Sequence, residues 1–287
     1  MNFLESSEQL LFILTSIIYG TTFLIATRYL LKKGAYPHKL VYLSLILGFL
    51  AQTIALNIRA IFVESCPLGN AFEITQFITW SLVLLYFIIR PVFNIKLLGY
   101  FTAFIASLST AIVLLFPKLD EPYTTINDKP IETLIELHAS LAIFSYALFT
   151  LLAILSLMYL IQQYGLKKQL FKGLFRYLPP IQKLDSIATS LLWIGVFILF
   201  IALIFGAVFW VEEPERVPTL KFFSTLIVFS AYVILGALKQ LNWISPRKQA
   251  ILAIIFFVSA ILSLWTIDQS RNDADRSIES TTLPSNS

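Results

Sequence analysis

The chain has 287 residues, 57% of them hydrophobic and only 13% charged, with a formal net charge of +4 and a mean hydropathy of +0.79. Water-soluble domains carry about 25% charged residues, so this chain has too little polar surface for a soluble globule, and its solvent is lipid. One cysteine, Cys66, excludes an intrachain disulfide framework and a multi-cysteine zinc site, and the sequence holds no Gly-rich phosphate loop, HExxH, CxxC or GxSxG motif.

The N-terminus carries Glu5 and Glu8 instead of a basic region, and no small-residue cleavage site follows its apolar run. The first segment is therefore expected to stay as a membrane span. A spanning helix needs about 20 mostly apolar residues. Eight stretches meet this, about 9–31, 40–62, 71–90, 96–116, 134–163, 186–210, 218–239 and 248–267. They are continuously apolar, without the alternation of a barrel strand, so an all-α polytopic bundle forming one integral membrane domain is predicted. The prolines, Pro91 and the Pro179-Pro180 pair among them, fall between the spans. The tail 268–287 is polar and mixed in charge, and disorder is expected there.

Alternate loops hold most of the Lys and Arg: Arg28, Lys32, Lys33 and Lys39, then Arg90 and Lys96, then Lys167, Lys168, Lys172, Arg176 and Lys183, then Lys239, Arg247 and Lys248. Of the 17 Asp and Glu, only Asp185 falls on that side. The positive-inside rule makes the basic side cytoplasmic and puts both termini outside. In the longest basic connection, about 164–185, apolar and basic residues interleave at near-helical spacing, which predicts an interfacial helix along the inner leaflet.

The most informative residue is His138, one of only 2 His, in the outer third of the fifth span. Ionisable groups at membrane depth are costly and tend to be functional. Ala142, Ser145 and Phe149 share its helix face. Small neighbours leave room for a flat ligand, but they equally permit close helix packing. Imidazole is a good axial ligand for haem iron; the competing reading is a hydrogen-bonded packing residue. The stretch Cys66-Pro67-Leu68-Gly69-Asn70-Ala71-Phe72-Glu73 reads as a turn and helix start, with Asn70 as N-cap and Glu73 in a capping-box variant; Glu73 and Trp80 are site candidates beside that structural role. Arg59 either snorkels to the interface or pairs with an anionic ligand group such as a propionate. Trp210 reads as an outer interfacial anchor.

Taken in order, these segments resemble the cytochrome c assembly family, the haem-handling membrane proteins of the CcsA, CcmC and HemX types, and most closely its short HemX-like members. The resemblance rests on three stretches: Cys66 to Glu73 with Phe77 and Trp80; His138 with Leu141 and Phe144-Ser145-Tyr146-Ala147, then Met158-Tyr159-Leu160 and Lys167-Lys168; and Gly206 through Glu213-Pro214-Glu215 to Asn242-Trp243 and Pro246-Arg247. The sequence departs from the family pattern in its outer loop, where the tryptophans thin to Trp210 and Glu213-Pro214-Glu215 stands for Asp-Pro-Lys. A second-span histidine falls at Gln52, and of the usual axial ligands only the one matching His138 remains. His38 lies in a cytoplasmic loop.

The resemblance implies an assembly or haem-delivery factor, not a self-sufficient haem ligase, in the bacterial cytoplasmic membrane. Haem would be its cofactor or cargo, with His138 on the iron, Arg59 at a propionate and Trp210 in the platform. Its implied partners are other cytochrome c maturation membrane proteins and apocytochrome c, with the lipid bilayer and no nucleic acid. The alternatives are a scaffolding subunit without haem, motivated by the missing histidines, and a small-solute permease, disfavoured by spans with few polar or broken helices.

Overall fold

The computed structural model describes residues 3–32, 35–63, 66–120, 133–170, 173–212 and 219–262. Among the described residues there are eight α-helices and no strand: α1 (Phe3–Leu31), α2 (His38–Val63), α3 (Ala71–Phe93), α4 (Leu98–Leu115), α5 (Thr133–Lys167), α6 (Ile181–Glu212), α7 (Thr219–Gln240) and α8 (246–262). Seven of them are long and apolar enough to cross a membrane. The protein is a polytopic helical bundle. A helix satisfies every backbone donor and acceptor within its own segment, which is what hydrocarbon demands.

Apart from 116–132 and 168–180 the connections are short, which suits antiparallel neighbours. α1 lies on α2 and α4, α3 on α4 and α5, α5 on α6, and α6 on α7. α5 is the most enclosed of the spanning helices, whereas little of α7 is buried. Leu43, Leu47, Leu50 and Ile54 form an exposed stripe along α2, as expected for a face that meets lipid.

Glycines seat rings at the closest helix contacts. A Cβ on Gly195 of α6 would stand 2.6 Å from Phe149 of α5, and one on Gly206 would stand 2.6 Å from the His138 ring. Each pair of positions is eleven residues apart on its own helix, so one antiparallel register sets both contacts. Phe149 also stacks face to face on Tyr232 of α7, centroids 3.7 Å apart.

Two expectations are corrected. α3 continues through Pro91 to Phe93 instead of ending at Arg90. Pro91 costs one backbone bond in the last turn, where the helix is about to stop at Asn94 in the left-handed conformation (φ 49°). The interfacial helix over 164–185 is absent from the described residues. α5 runs on to Lys167 and closes with a Schellman turn: Gln169 takes φ 55°, its N–H donates to Leu166 O, and the Leu170 N–H donates to Gly165 O at 2.8 Å. Only a one-turn 3-10 helix, Gly173–Arg176, precedes α6. Pro179 and Pro180, which cannot continue a helix from their N-terminal side, end it.

Candidate functional site

His138 sits in the second turn of α5, half-buried, and faces the last turns of α6. Its Nδ1 lies 2.6 Å from the carbonyl oxygen of Ala202. A carbonyl can only accept, so Nδ1–H is the donor and, in the neutral ring, Nε2 is the basic nitrogen. Gly206, one turn further along α6, leaves the space that the ring fills. On the same face of α5, Ser145 is buried and turns its hydroxyl back to the Ala142 carbonyl at 2.6 Å.

Arg59 is near the end of α2 and is held by three carboxylates. Nε donates to Glu73 Oε1 of α3 at 2.8 Å, Nη1 to Glu8 Oε1 of α1 at 3.4 Å, and Nη2 to Asp120 Oδ1 in the turn after α4. Its side chain is 17% exposed, against 2% for Glu8 and 4% for Glu73. The guanidinium also lies over Phe72, 5.9 Å from the ring centroid. Asn70 caps α3 by accepting the Glu73 N–H at 2.9 Å, and Glu73 Oε2 accepts the Gly69 N–H at 2.7 Å. Asp120 is held above the ordinary carboxylate range, because burial outweighs the attraction of Arg59.

Cys66 links this cluster to α5. Its N–H donates to Glu136 Oε1 at 3.1 Å, and its Sγ is 3.7 Å from Ser140 Oγ. Glu136 and Ser140 flank His138 in the sequence, so the Cys66 loop braces the turn of helix that carries the histidine. Burial pushes the Cys66 thiol up, partly offset by the Ser140 hydroxyl.

Gln52 is fully buried in α2. Its Oε1 accepts from Tyr19 OH at 3.0 Å, and its Nε2 donates to Gln76 Oε1 at 2.9 Å and Gln76 O at 3.1 Å. The Tyr19 ring reaches it across Gly48, where a Cβ would stand 2.3 Å from the ring. Trp80 stacks on Phe49 of α2, centroids 5.4 Å apart, and its Nε1–H donates to Thr53 Oγ1 at 2.9 Å.

The structure thus joins Arg59 and Glu73 in one cluster, gives His138 a partner on α6, and packs Trp80 against α2. Arg59, for which the sequence left snorkelling or an anionic ligand group open, meets the carboxylates of Glu8, Glu73 and Asp120. Trp210 is in the last turn of α6, but its side chain lies outside the described residues, as does Glu213-Pro214-Glu215. His38 starts α2, at the opposite end of the helix from Arg59. Sequence reasoning missed Glu8, Asp120, Tyr19, Gln76 and Gly206 as partners. An acid inside the first apolar helix was a usable signal for Glu8; nothing in the sequence pointed to Asp120.

The cytochrome c assembly protein family model matches residues 68–270, more than half of the chain. This protein belongs to that family. It is similar to HemX of Bacillus subtilis (strain 168), 25% identical over 233 residues, covering 79% of this chain and 84% of that protein. HemX of Brevibacillus brevis is 27% identical over 195 residues, 68% of this chain and 71% of the relative. The cytochrome c biogenesis protein CcsA of Guillardia theta is 26% identical over 245 residues, 76% and 78% of the two chains. Family membership supports a role in cytochrome c biogenesis. The match begins at Leu68 and so takes in the capped start of α3, the histidine helix α5 and its partner α6.

Proposed function

We propose that this protein serves cytochrome c biogenesis by binding haem, or handing it over, near the extracytoplasmic face, with His138 as the one axial ligand this chain supplies. The observation that carries the reading is the Nδ1–H bond to Ala202 O. Metal-ligating histidines characteristically donate their other ring N–H to a carbonyl or carboxylate, which sets the tautomer and raises the basicity of the ligating nitrogen. Haem would supply an iron that accepts Nε2. Gly206 leaves room for the ring, and the Cys66 loop, through Glu136 and Ser140, braces the turn of helix that carries it. In this reading Arg59 and Glu73 clasp the outer ends of the helices together, Trp80 packs α3 on α2, and Trp210 contributes to an outer platform. Any second ligand to the iron would have to come from a partner maturation protein or from apocytochrome c. The setting is the bacterial cytoplasmic membrane with both termini outside.

The test is a difference spectrum of protein purified from cells given ample haem. A Soret band is expected, lost in His138→Ala. A colourless protein, unaffected by the substitution, would overturn the reading.

The Ala202 bond and the fit against Gly206 also favour a second reading, in which His138 is a packing residue and the protein is a scaffolding subunit of a maturation complex. That reading expects a complex with other maturation proteins that co-purifies undiminished after His138→Ala.

A further inference from the structure

Where α5 ends and α6 begins, an open surface cleft of about 460 Å³ runs from Gln162 and Leu166 of α5, past Phe175 and Arg176, to Ile181 and Gln182 of α6. Its wall is built, not incidental. Phe175 lies on Gly165 so closely that a Cβ there would stand 2.2 Å from the ring. The next residue but one, Tyr177, accepts the Tyr36 N–H at 3.2 Å, tying the segment to the connection before α2. Leu178 is buried.

The lining divides by chemistry. Leu166, Phe175, Leu178, Pro180 and Ile181 are apolar, while Arg176, Gln162 and Gln182 are polar and their side chains make no hydrogen bond or ion pair to another described residue. No acid occurs from 162 to 184, where Lys167, Lys168 and Lys183 add to the positive field. The first acid beyond, Asp185, is occupied by Lys239 Nζ at 2.7 and 2.8 Å. Among the described residues, the cleft therefore presents a guanidinium with no carboxylate partner and two amides beside an apolar wall, at the end of two membrane helices.

We infer that this cleft binds the headgroup of an anionic phospholipid, the phosphate at Arg176 with the Gln162 and Gln182 amides on its oxygens, and the upper acyl chain along Phe175 and Ile181. Guanidinium matches phosphate geometrically as well as in charge, and a bilayer delivers such a ligand laterally to this depth. The inference is independent of haem binding and of His138.

The experiment is native mass spectrometry of the full chain in detergent, titrated with phosphatidylglycerol or with phosphatidylcholine. Phosphatidylglycerol is expected to be retained over phosphatidylcholine, and Arg176→Gln to weaken that retention about five-fold, the equivalent of one basic residue at a lipid surface. Arg176 is exposed, so its loss leaves the fold intact; Lys39→Gln, an exposed cation outside the cleft, is expected to leave retention unchanged. Gly165→Leu, which pushes Phe175 off α5, is expected to lower it as well. Equal retention of the two lipids, no effect of Arg176→Gln, or full competition by free glycerol phosphate would each overturn the proposal, the last by showing a site for a soluble phosphate ester.

Discussion

At Gly206 the missing Cβ is a structural requirement, because the atom would stand 2.6 Å from His138 Cε1 and 2.7 Å from Nδ1. The ring cannot retreat without losing its bond to Ala202 O. Gly206→Ala gains about 1 kcal/mol of helix propensity, but overpacking costs about 1–3 kcal/mol. A net fall in thermal stability in detergent is therefore expected. Gly20→Ala is the contrasting case: its Cβ would meet only Ser107 Oγ, the rotatable end of a short side chain, at 3.1 Å. There propensity wins, and Tm is expected to hold or rise.

At the scale of elements, one guanidinium gathers α1, α2, α3 and the turn after α4. Arg59→Met leaves three partly or fully buried carboxylates without their cation. Breaking a buried pair from one side costs about 3–5 kcal/mol, and a loss of that order is expected in unfolding measurements. Asp120→Asn removes only one of three acids and should cost less. It should also change the pH dependence. Asp120 has a folded pKa above its unfolded value, so the folded state holds the proton more tightly and this group's contribution is largest at low pH. It is lost as pH rises from the ordinary Asp range, about 3.9, through the raised folded value. The wild type should gain stability relative to Asp120→Asn as pH falls through that window. The opposite slope would mean that attraction to Arg59 outweighs burial.

Across the whole molecule the charges separate by end. Arg59, the turn after α4 and the starts of α3 and α5 share one end, and Lys39, Arg90, Lys167 and Lys239 share the other. The positive-inside rule puts the basic end inside, and this predicts that a membrane-impermeant maleimide on intact cells labels Lys118→Cys in a Cys66→Ser background and labels Lys39→Cys only after permeabilisation. Both positions are exposed. The reverse pattern would turn the protein over and put His138 on the cytoplasmic side, against the proposed site of haem transfer.

Much of this was legible beforehand because lipid simplifies the code. Continuous apolar runs must be helices, so the bundle and the approximate helix limits followed from composition alone, and Asn70 announced the start of α3 by local chemistry. The sequence by itself determined helical class, membrane residence and the singular position of His138. Where breaking and capping competed, local signals misled: apolar and basic residues between 164 and 185 looked amphipathic, but Gln169 and the Pro179-Pro180 pair stopped each helix first. Partners were another matter. Only the tertiary structure decided that Arg59 meets Glu8, Glu73 and Asp120, that Gln52 meets Tyr19 and Gln76, and that His138 meets Ala202 and Gly206. These contacts depend on which helices adjoin and in what register, and in an almost uniformly apolar chain that choice is made by the close approach of glycines and the pairing of a few buried polar groups, neither of which is visible along a single helix.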